Sequence, residues 1–498
     1  MPNDPAPAPP APPALAALTR LIQAGLPTPT DAARSALGAF LAERYPQRQV
    51  KAAAIRDAYG PSGEGHTPFA GVLPEDSPPS GAYGGMSVVW FPLGGADGGG
   101  SLLTFVVGTL GLSPDEGILG RPGHRRYVQA MRTHLQRLGV NAWAKPDPAA
   151  IHADVPATVR GAFPQWESAW ERYGPFVYAA AALSPDTPPE AARATVAAFF
   201  DLYGRERGWK PLAAHAASVT NYLAALADGF FQHPGEDDVI DLLRERRFVV
   251  LQGPPGSGKT RLADRVRASA AFGNRGLPVQ FHPAVTYEDF VVGLAPRVDG
   301  GSLGFHVRAG WLLQAVEESE RCGEAPFLLG IDEINRGDLA KVLGEAISLF
   351  EPGQEREITL PHAWNGRARL RLPANLHVLA TMNTADRSIA SIDLAIRRRF
   401  AFVTLHPDRA PVAAQGLPLA TEAFDRLSAA FIEFAADDVL PLIPGQAYFL
   451  ANDVTHLTRR LRHDLLPLLD EYLAAGLLGG AAAEVQTVRD WLADQIGA

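Results

Sequence analysis

Residues Gly253-Pro254-Pro255-Gly256-Ser257-Gly258-Lys259-Thr260 satisfy the pattern G-x-x-x-x-G-K-[ST] in full. The chemistry of such a loop is the capture of a phosphate chain. Its glycines let backbone N–H groups close around a phosphate seated at the positive end of the helix that follows. Lys259 then reaches the β and γ phosphates, and Thr260 offers its hydroxyl to Mg²⁺. Lysine is scarce, occurring only at positions 51, 145, 210, 259 and 341, so a lysine here is a rare choice. The bland alternative, a Gly-rich strand-to-helix turn that binds nothing, leaves the whole match to chance.

Three more groups would complete a hydrolytic site. Asp332-Glu333 ends an apolar run; Asp332 is expected to hold Mg²⁺ through water, and Glu333 to orient or deprotonate an attacking water. Taken alone, the pair also fits the start of a helix. Asn383 ends another apolar run, where a neutral amide holds the lytic water against the γ-phosphate without adding charge. Arg397-Arg398-Arg399 cannot all face one core. They read either as a solvated helix end favoured by the helix dipole, or as arginines of which one or two cross a subunit boundary to a neighbour's γ-phosphate.

These groups need strands to deliver them. Residues 248–252, 325–331, 376–382 and 402–405 are short apolar runs of the buried-strand kind, and a helix is expected over 261–271, directly after the phosphate loop. From Asp237 onward such runs alternate with turns carrying charged or hydroxyl residues, the pattern of a doubly wound parallel sheet. Ligands of such sheets gather at the carboxyl ends of the strands, where Asp332-Glu333 stands. Beyond Pro407 the chain reads as helices.

The first half is organised differently. Residues 1–13 are almost all Pro and Ala, with no cationic start and no uninterrupted apolar stretch, so they read as a disordered leader rather than a signal peptide. Residues 15–45 have helical spacing, 59–85 are loop by their Pro and Gly, and 86–93 with 101–110 form two strands paired as a hairpin. An amphipathic helix with a basic side is expected over 125–138, and Pro188-Pro189 opens a helix over 190–203. Trp90, Trp143, Trp166, Trp170 and Tyr173 either stack on an extruded base or, as aromatics in a mixed domain usually do, form core. Arg121, Arg125 and Arg126 likewise grip phosphates or line a solvated face.

Composition sets the outer bounds. The 498 residues exceed what one core organises, so two or three domains are expected. A net charge of −9 excludes whole-molecule electrostatic binding of nucleic acid, leaving only local basic patches. The single cysteine, Cys322, excludes a disulfide framework and CxxC zinc sites, suits a reducing cytoplasm, and is read as packing. No stretch of clean apolar residues is long enough for a membrane span.

From roughly Asp237 to the C-terminus the chain resembles the McrB family, the nucleotide-hydrolysing subunits of modification-dependent restriction systems. The resemblance is carried by Phe281-His282-Pro283, by Tyr287-Glu288-Asp289-Phe290 with Gly293-Leu294, by Asp332-Glu333-Ile334-Asn335-Arg336-Gly337 and by Met382-Asn383-Thr384-Ala385-Asp386-Arg387-Ser388. It implies an α/β fold: an AAA+ P-loop NTPase parallel sheet with a C-terminal helical lid, preceded by an α+β N-terminal domain. The expected order is leader 1–13, N-terminal domain 14–205, helical linker 206–236, nucleotide-binding core 237–408 and lid 409–498.

By the same resemblance Gly253 to Thr260, Asp332, Glu333 and Asn383 take the roles above, and Arg398 or Arg399 is a trans-acting finger. Gly445-Gln446-Ala447-Tyr448-Phe449 departs from the family, whose members often have His-Ser at positions 446 and 447, so no sensor role is carried onto those two. Mg²⁺ is the implied cofactor and ATP or GTP the substrate, with ATP slightly ahead. A hexameric homo-oligomer, a McrC-like nuclease subunit and DNA held by the N-terminal domain are the implied partners. No nuclease activity of the chain's own is expected, because no acidic pair followed by E-x-K occurs. The leading expectation is a cytoplasmic, ring-forming NTPase that powers or gates a defence nuclease. A MoxR-like remodelling chaperone and a nucleotide-locked scaffold are the alternatives.

Overall fold

A computed structural model of the chain describes every residue except 1–12, 26–29, 52, 58–66, 94–98, 228–229, 232, 300–301, 386–393 and 498. The expected leader, apart from Pro13, and Asp386-Arg387-Ser388 lie outside the described residues. Two compact units divide the chain, Met1–Phe230 and Phe231–Ala498.

The first unit is built on one six-stranded antiparallel sheet. Its strands β1 (Ala53–Asp57), β2 (Ala70–Pro74), β3 (Met86–Pro92), β4 (Ser101–Val107), β5 (Ala142–Ala144) and β6 (Val177–Leu183) lie in the order β1-β2-β3-β4-β6-β5. The expected hairpin is β3 and β4. The expected loop over 59–85 is corrected, because β2 lies within it. That strand is buried along its whole length, so it shows no alternation, and its short Ala-Gly-Val-Leu run is masked by the Pro and Gly around it.

Helices Pro13–Ala24 and Thr30–Arg44 account for the helical spacing near the start, with Gly25 left-handed after the first. The basic helix runs from Pro122 to Arg137, three residues earlier than expected, because Pro122 occupies its first turn. The helix opened by Pro189 extends to Glu206.

In the second unit, β7 (Phe248–Gly253), β8 (Gly276–Gln280), β11 (Phe327–Asp332), β14 (Leu376–Asn383) and β15 (Ala401–Thr404) make a parallel sheet ordered β15-β7-β14-β11-β8. Two antiparallel ribbons are inserted, β9 (Val292–Asp299) with β10 (Ser302–Ala309), and β12 (Glu357–Trp364) with β13 (Arg367–Arg371).

Alternate residues of the central strands feed opposite cores. Phe248, Val250, Leu329, Ile331 and Val378 join the core under the helix Trp311–Arg321. Val249, Leu251, Leu328 and Leu379 join the one under the helices Glu236–Arg246 and Lys259–Ala268. Cys322 packs, half-buried, against the first of these cores.

Beyond β15 comes a helical layer with its own core, including Phe431, Leu461, Leu469 and Leu492. Within it the helix Leu466–Ala474 is entered through a π turn at Leu461–Leu465. Among the described residues no helix is long and apolar enough to cross a membrane.

Candidate functional site

Parallel pairing alone brings three motifs to one end of the second sheet. β14 sits between β7 and β11, and the register sets Asn383 opposite Gly253 and Ala380 opposite Ile331. The phosphate loop, Asp332-Glu333 and Asn383 therefore emerge at one level, at the strands' carboxyl ends.

The loop's turns rest on glycines. Gly256 (φ 75°) and Gly258 (φ 88°) are left-handed, a conformation that side-chain-bearing residues rarely adopt. Gly258 precedes the helix Lys259–Ala268, and the Ser257 hydroxyl braces the loop by donating to the Pro254 carbonyl at 2.8 Å. The Lys259 ammonium donates to the carbonyls of Gly253 and Pro254, at 3.0 and 2.8 Å. Burial pushes this ammonium down to about 8, while Glu333 and then Asp332 oppose the shift.

Across the cleft the Thr260 hydroxyl donates to Asp332 Oδ1 at 3.1 Å. A second hydroxyl, that of Thr381 on β14, donates to the same carboxylate oxygen. Thr381 also accepts from the Glu333 backbone N–H at 3.1 Å. It is buried, and it links both carboxylate residues to the strand that carries Asn383. The only sequence signal for it was a hydroxyl inside an apolar strand.

Glu333 itself is left-handed at φ 54°, an unfavourable backbone state for a residue with a side chain. Its carboxylate lies 3.6 Å from Arg336 Nε. Asn335 donates to the Asn383 carbonyl at 3.2 Å, and Asn383 Oδ1 accepts from the Ala385 N–H at 3.3 Å.

Arg398 and Arg399, on the helix Leu394–Arg399, both pair with Glu351. They differ in exposure. The Arg399 side chain is 11% exposed and also donates to the Ala395 carbonyl, whereas that of Arg398 is 66% exposed. Arg397 lies over the Phe402 ring.

The segment Gly445-Gln446-Ala447, given no role from sequence, contributes to the loop. Gly445 N donates to Pro255 O, Ala447 N to Gly256 O, and the Gln446 amide to Ser257 O at 2.9 Å. A Cβ at Gly445 would lie 2.1 Å from the Gly256 carbonyl carbon, so only glycine allows this approach. Gln446 also accepts from Asp408 N. No local pattern announces a contact between residues 189 positions apart. Beside it lies a hollow of about 270 Å³ bordered by Ser257, Gly258, His233, His406, Asp408 and Gln446. Burial, then the nearby His233, pushes His406 down to about 4.

Residues 248–400 match the family described as AAA domain (dynein-related subfamily). The type IV methyl-directed restriction enzyme EcoKMcrB subunit of Escherichia coli (strain K12) is 35% identical over 189 residues, which cover 37% of this chain and 40% of that protein. Residues 248–400 are thus an AAA domain, similar to that of the EcoKMcrB subunit. A second relative, the type II restriction enzyme BsuMI component YdiS of Bacillus subtilis (strain 168), is 24% identical over 200 residues, 33% of this chain and 58% of its own. The chain thus spans less than two thirds of each curated relative. Among solved structures, NtrX of Brucella abortus in complex with ADP aligns over 52% of this chain and 66% of its own at 12% identity, with a TM-score of 0.25, too slight a likeness to carry an argument.

Proposed function

We propose that the chain is the motor subunit of a McrBC-like restriction system: a ring-forming, hexameric enzyme that binds and hydrolyses ATP or GTP to drive a separate McrC-like nuclease subunit on DNA. The observation that carries the hydrolytic part is the 3.1 Å approach of the Thr260 hydroxyl to the Asp332 carboxylate, beside the buried Lys259. A hydroxyl and a carboxylate are hard oxygen donors, and their convergence fits Mg²⁺. Thr260 and Asp332 would hold that ion, which when bound neutralises charge on the phosphate oxygens.

In this reading Gly253, Pro254, Pro255, Gly256, Ser257, Gly258, Lys259 and Thr260 cradle the phosphates, and Lys259 leaves its loop carbonyls for the γ-phosphate. Glu333, held by Thr381 in its left-handed turn, accepts the proton of the attacking water, and the Asn383 amide orients that water. Of the two arginines, Arg398 crosses to the neighbouring subunit's phosphate because it is exposed; Arg399 anchors the helix through Glu351. The hollow beside Gln446 takes the base, next to His406, which stays neutral at physiological pH. Restriction is supported by the names of both relatives, a restriction enzyme subunit and a restriction enzyme component.

Glu333→Gln keeps the side chain's size and the backbone bond to Thr381 but removes the base. Expected is a turnover loss of about 10²–10⁴-fold with triphosphate still bound and oligomers intact, read by phosphate release and size-exclusion chromatography. Undiminished turnover would rule out Glu333 as the water-activating group.

A further inference from the structure

β11 carries a glycine where its neighbours in the chain carry core. Phe327, Leu328, Leu329 and Ile331 are buried, whereas Gly330 among them is only half-buried. A strand of a parallel sheet covered on both faces normally fills such a position with a large apolar side chain. Nothing in the chain's own conformation asks for a glycine here. Its φ is not positive, and a Cβ built on it would meet no atom nearer than the Pro278 Cα at 3.9 Å. The space beside Gly330 is therefore left open by the chain itself.

That space is a hollow of about 270 Å³ between the helix Lys259–Ala268 and the strands β8 and β11, ample for one aliphatic side chain. Its lining runs from the apolar Pro278, Leu328 and Leu379 to Thr260 and Asp332 of the candidate hydrolytic site. It also carries Asp264, exposed and paired with Arg267 at 3.1 Å. Two carboxylates against one guanidinium give this lining an acidic excess.

The same unit displays the complement. Leu394 is the most exposed large apolar side chain among the described residues, at 81%. It opens the helix Leu394–Arg399 four residues before Arg398, so the two stand on one helix face, about one turn apart. Arg397 and Arg398 are exposed as well. An apolar knob beside cations thus matches an apolar hole beside carboxylates. Leu394 does not fill the hollow of its own chain: Ile396 seats its helix on the core of the sheet's other face.

We propose that Leu394 of one copy inserts into the hollow at Gly330 of a second copy, and thereby sets Arg398 beside the second copy's Thr260 and Asp332. This rests on the reading of Arg398 as the arginine that crosses between subunits, and adds the contact that positions it. Knob and hole are different surfaces, so the contact is head-to-tail and repeats from copy to copy, as a ring requires.

Sedimentation velocity of the full chain with Mg²⁺ and a non-hydrolysable triphosphate analogue, over a concentration series with turnover measured in parallel, tests the contact. Leu394→Ala alters only an exposed side chain, and analogue affinity of the dilute, unassembled chain should not change. The concentration for half-assembly should rise about tenfold or more, and turnover should recover once that concentration is exceeded. Gly330→Val, which fills the hollow from within, should weaken assembly similarly, and the double variant should lose no more than either single one, because each removes the same contact. Assembly of Leu394→Ala equal to the wild type, or losses that add in the double variant, overturn the contact alone. A wild-type chain that stays monomeric with the analogue overturns the ring itself, and the contact with it.

Discussion

The two units use aromatic and charged residues in opposite ways. In Phe231–Ala498 the residues that could do chemistry stand at strand ends, free of the core, and meet across a cleft. In Met1–Phe230 the residues with the most suggestive side chains are structural. Trp90, Trp166 and Trp170 are buried, and Trp143 packs edge-on against Trp170. Arg121 pairs with the buried Glu206 rather than facing outward to a phosphate. Side-chain type therefore marks function only where backbone chemistry restricts the alternatives. A phosphate loop demands particular residues in fixed order; a sheet face accepts any large ring as core or as pocket wall.

That contrast can be broken or sharpened. The largest effect expected is that of Lys259→Ala, which should abolish triphosphate binding by the second unit and leave the first unit's fold unchanged, as read by calorimetry and circular dichroism. Next, Arg398→Ala should lower turnover of the assembled protein by about 10³-fold. Arg399→Ala should instead lower the thermal midpoint, since it cuts the tie to Glu351; equal kinetic losses for both would erase the distinction drawn from their exposure. Trp170→Ala should destabilise the N-terminal unit by about 3–5 kcal/mol, visible as a shift in one calorimetric transition only.

The smallest effect concerns pH. His406 is held neutral, its folded pKa of about 4 lying below its ordinary 6.5. The unfolded chain therefore binds the proton first as pH falls. The stability this neutral ring contributes is complete above pH 6.5 and is lost as pH drops toward 4. Urea midpoints measured across that window should fall, and His406→Gln should flatten part of the slope.

How much was legible follows the same division. Four strands of the parallel sheet and the loop residues could be read because β7, β11 and β14 are short apolar runs ending in chemically constrained groups and β15 is a short apolar run beside them; β8 was missed because it is only partly buried and ends in no such group. Thr381 could not be singled out, and Gln446 was noticed as a departure but given no role: the first is one hydroxyl in a buried strand, the second reaches Ser257 through a contact with no local signature. The strand β2 hid among prolines and glycines because burial on both faces removes alternation. Gly330 opens its hollow only because β8 and the helix Lys259–Ala268 wall the space beside it, a fact that exists in three dimensions alone.

The clasp of a triphosphate tail between loop and acidic strand is tested most directly by a structure of the protein with Mg²⁺ and a non-hydrolysable triphosphate analogue. The terminal phosphate should bond Lys259, with the ion between Thr260 and Asp332 and Glu333 facing the phosphorus. An analogue bound at saturation elsewhere, or Asp332 and Glu333 turned away from its phosphates, would contradict the account.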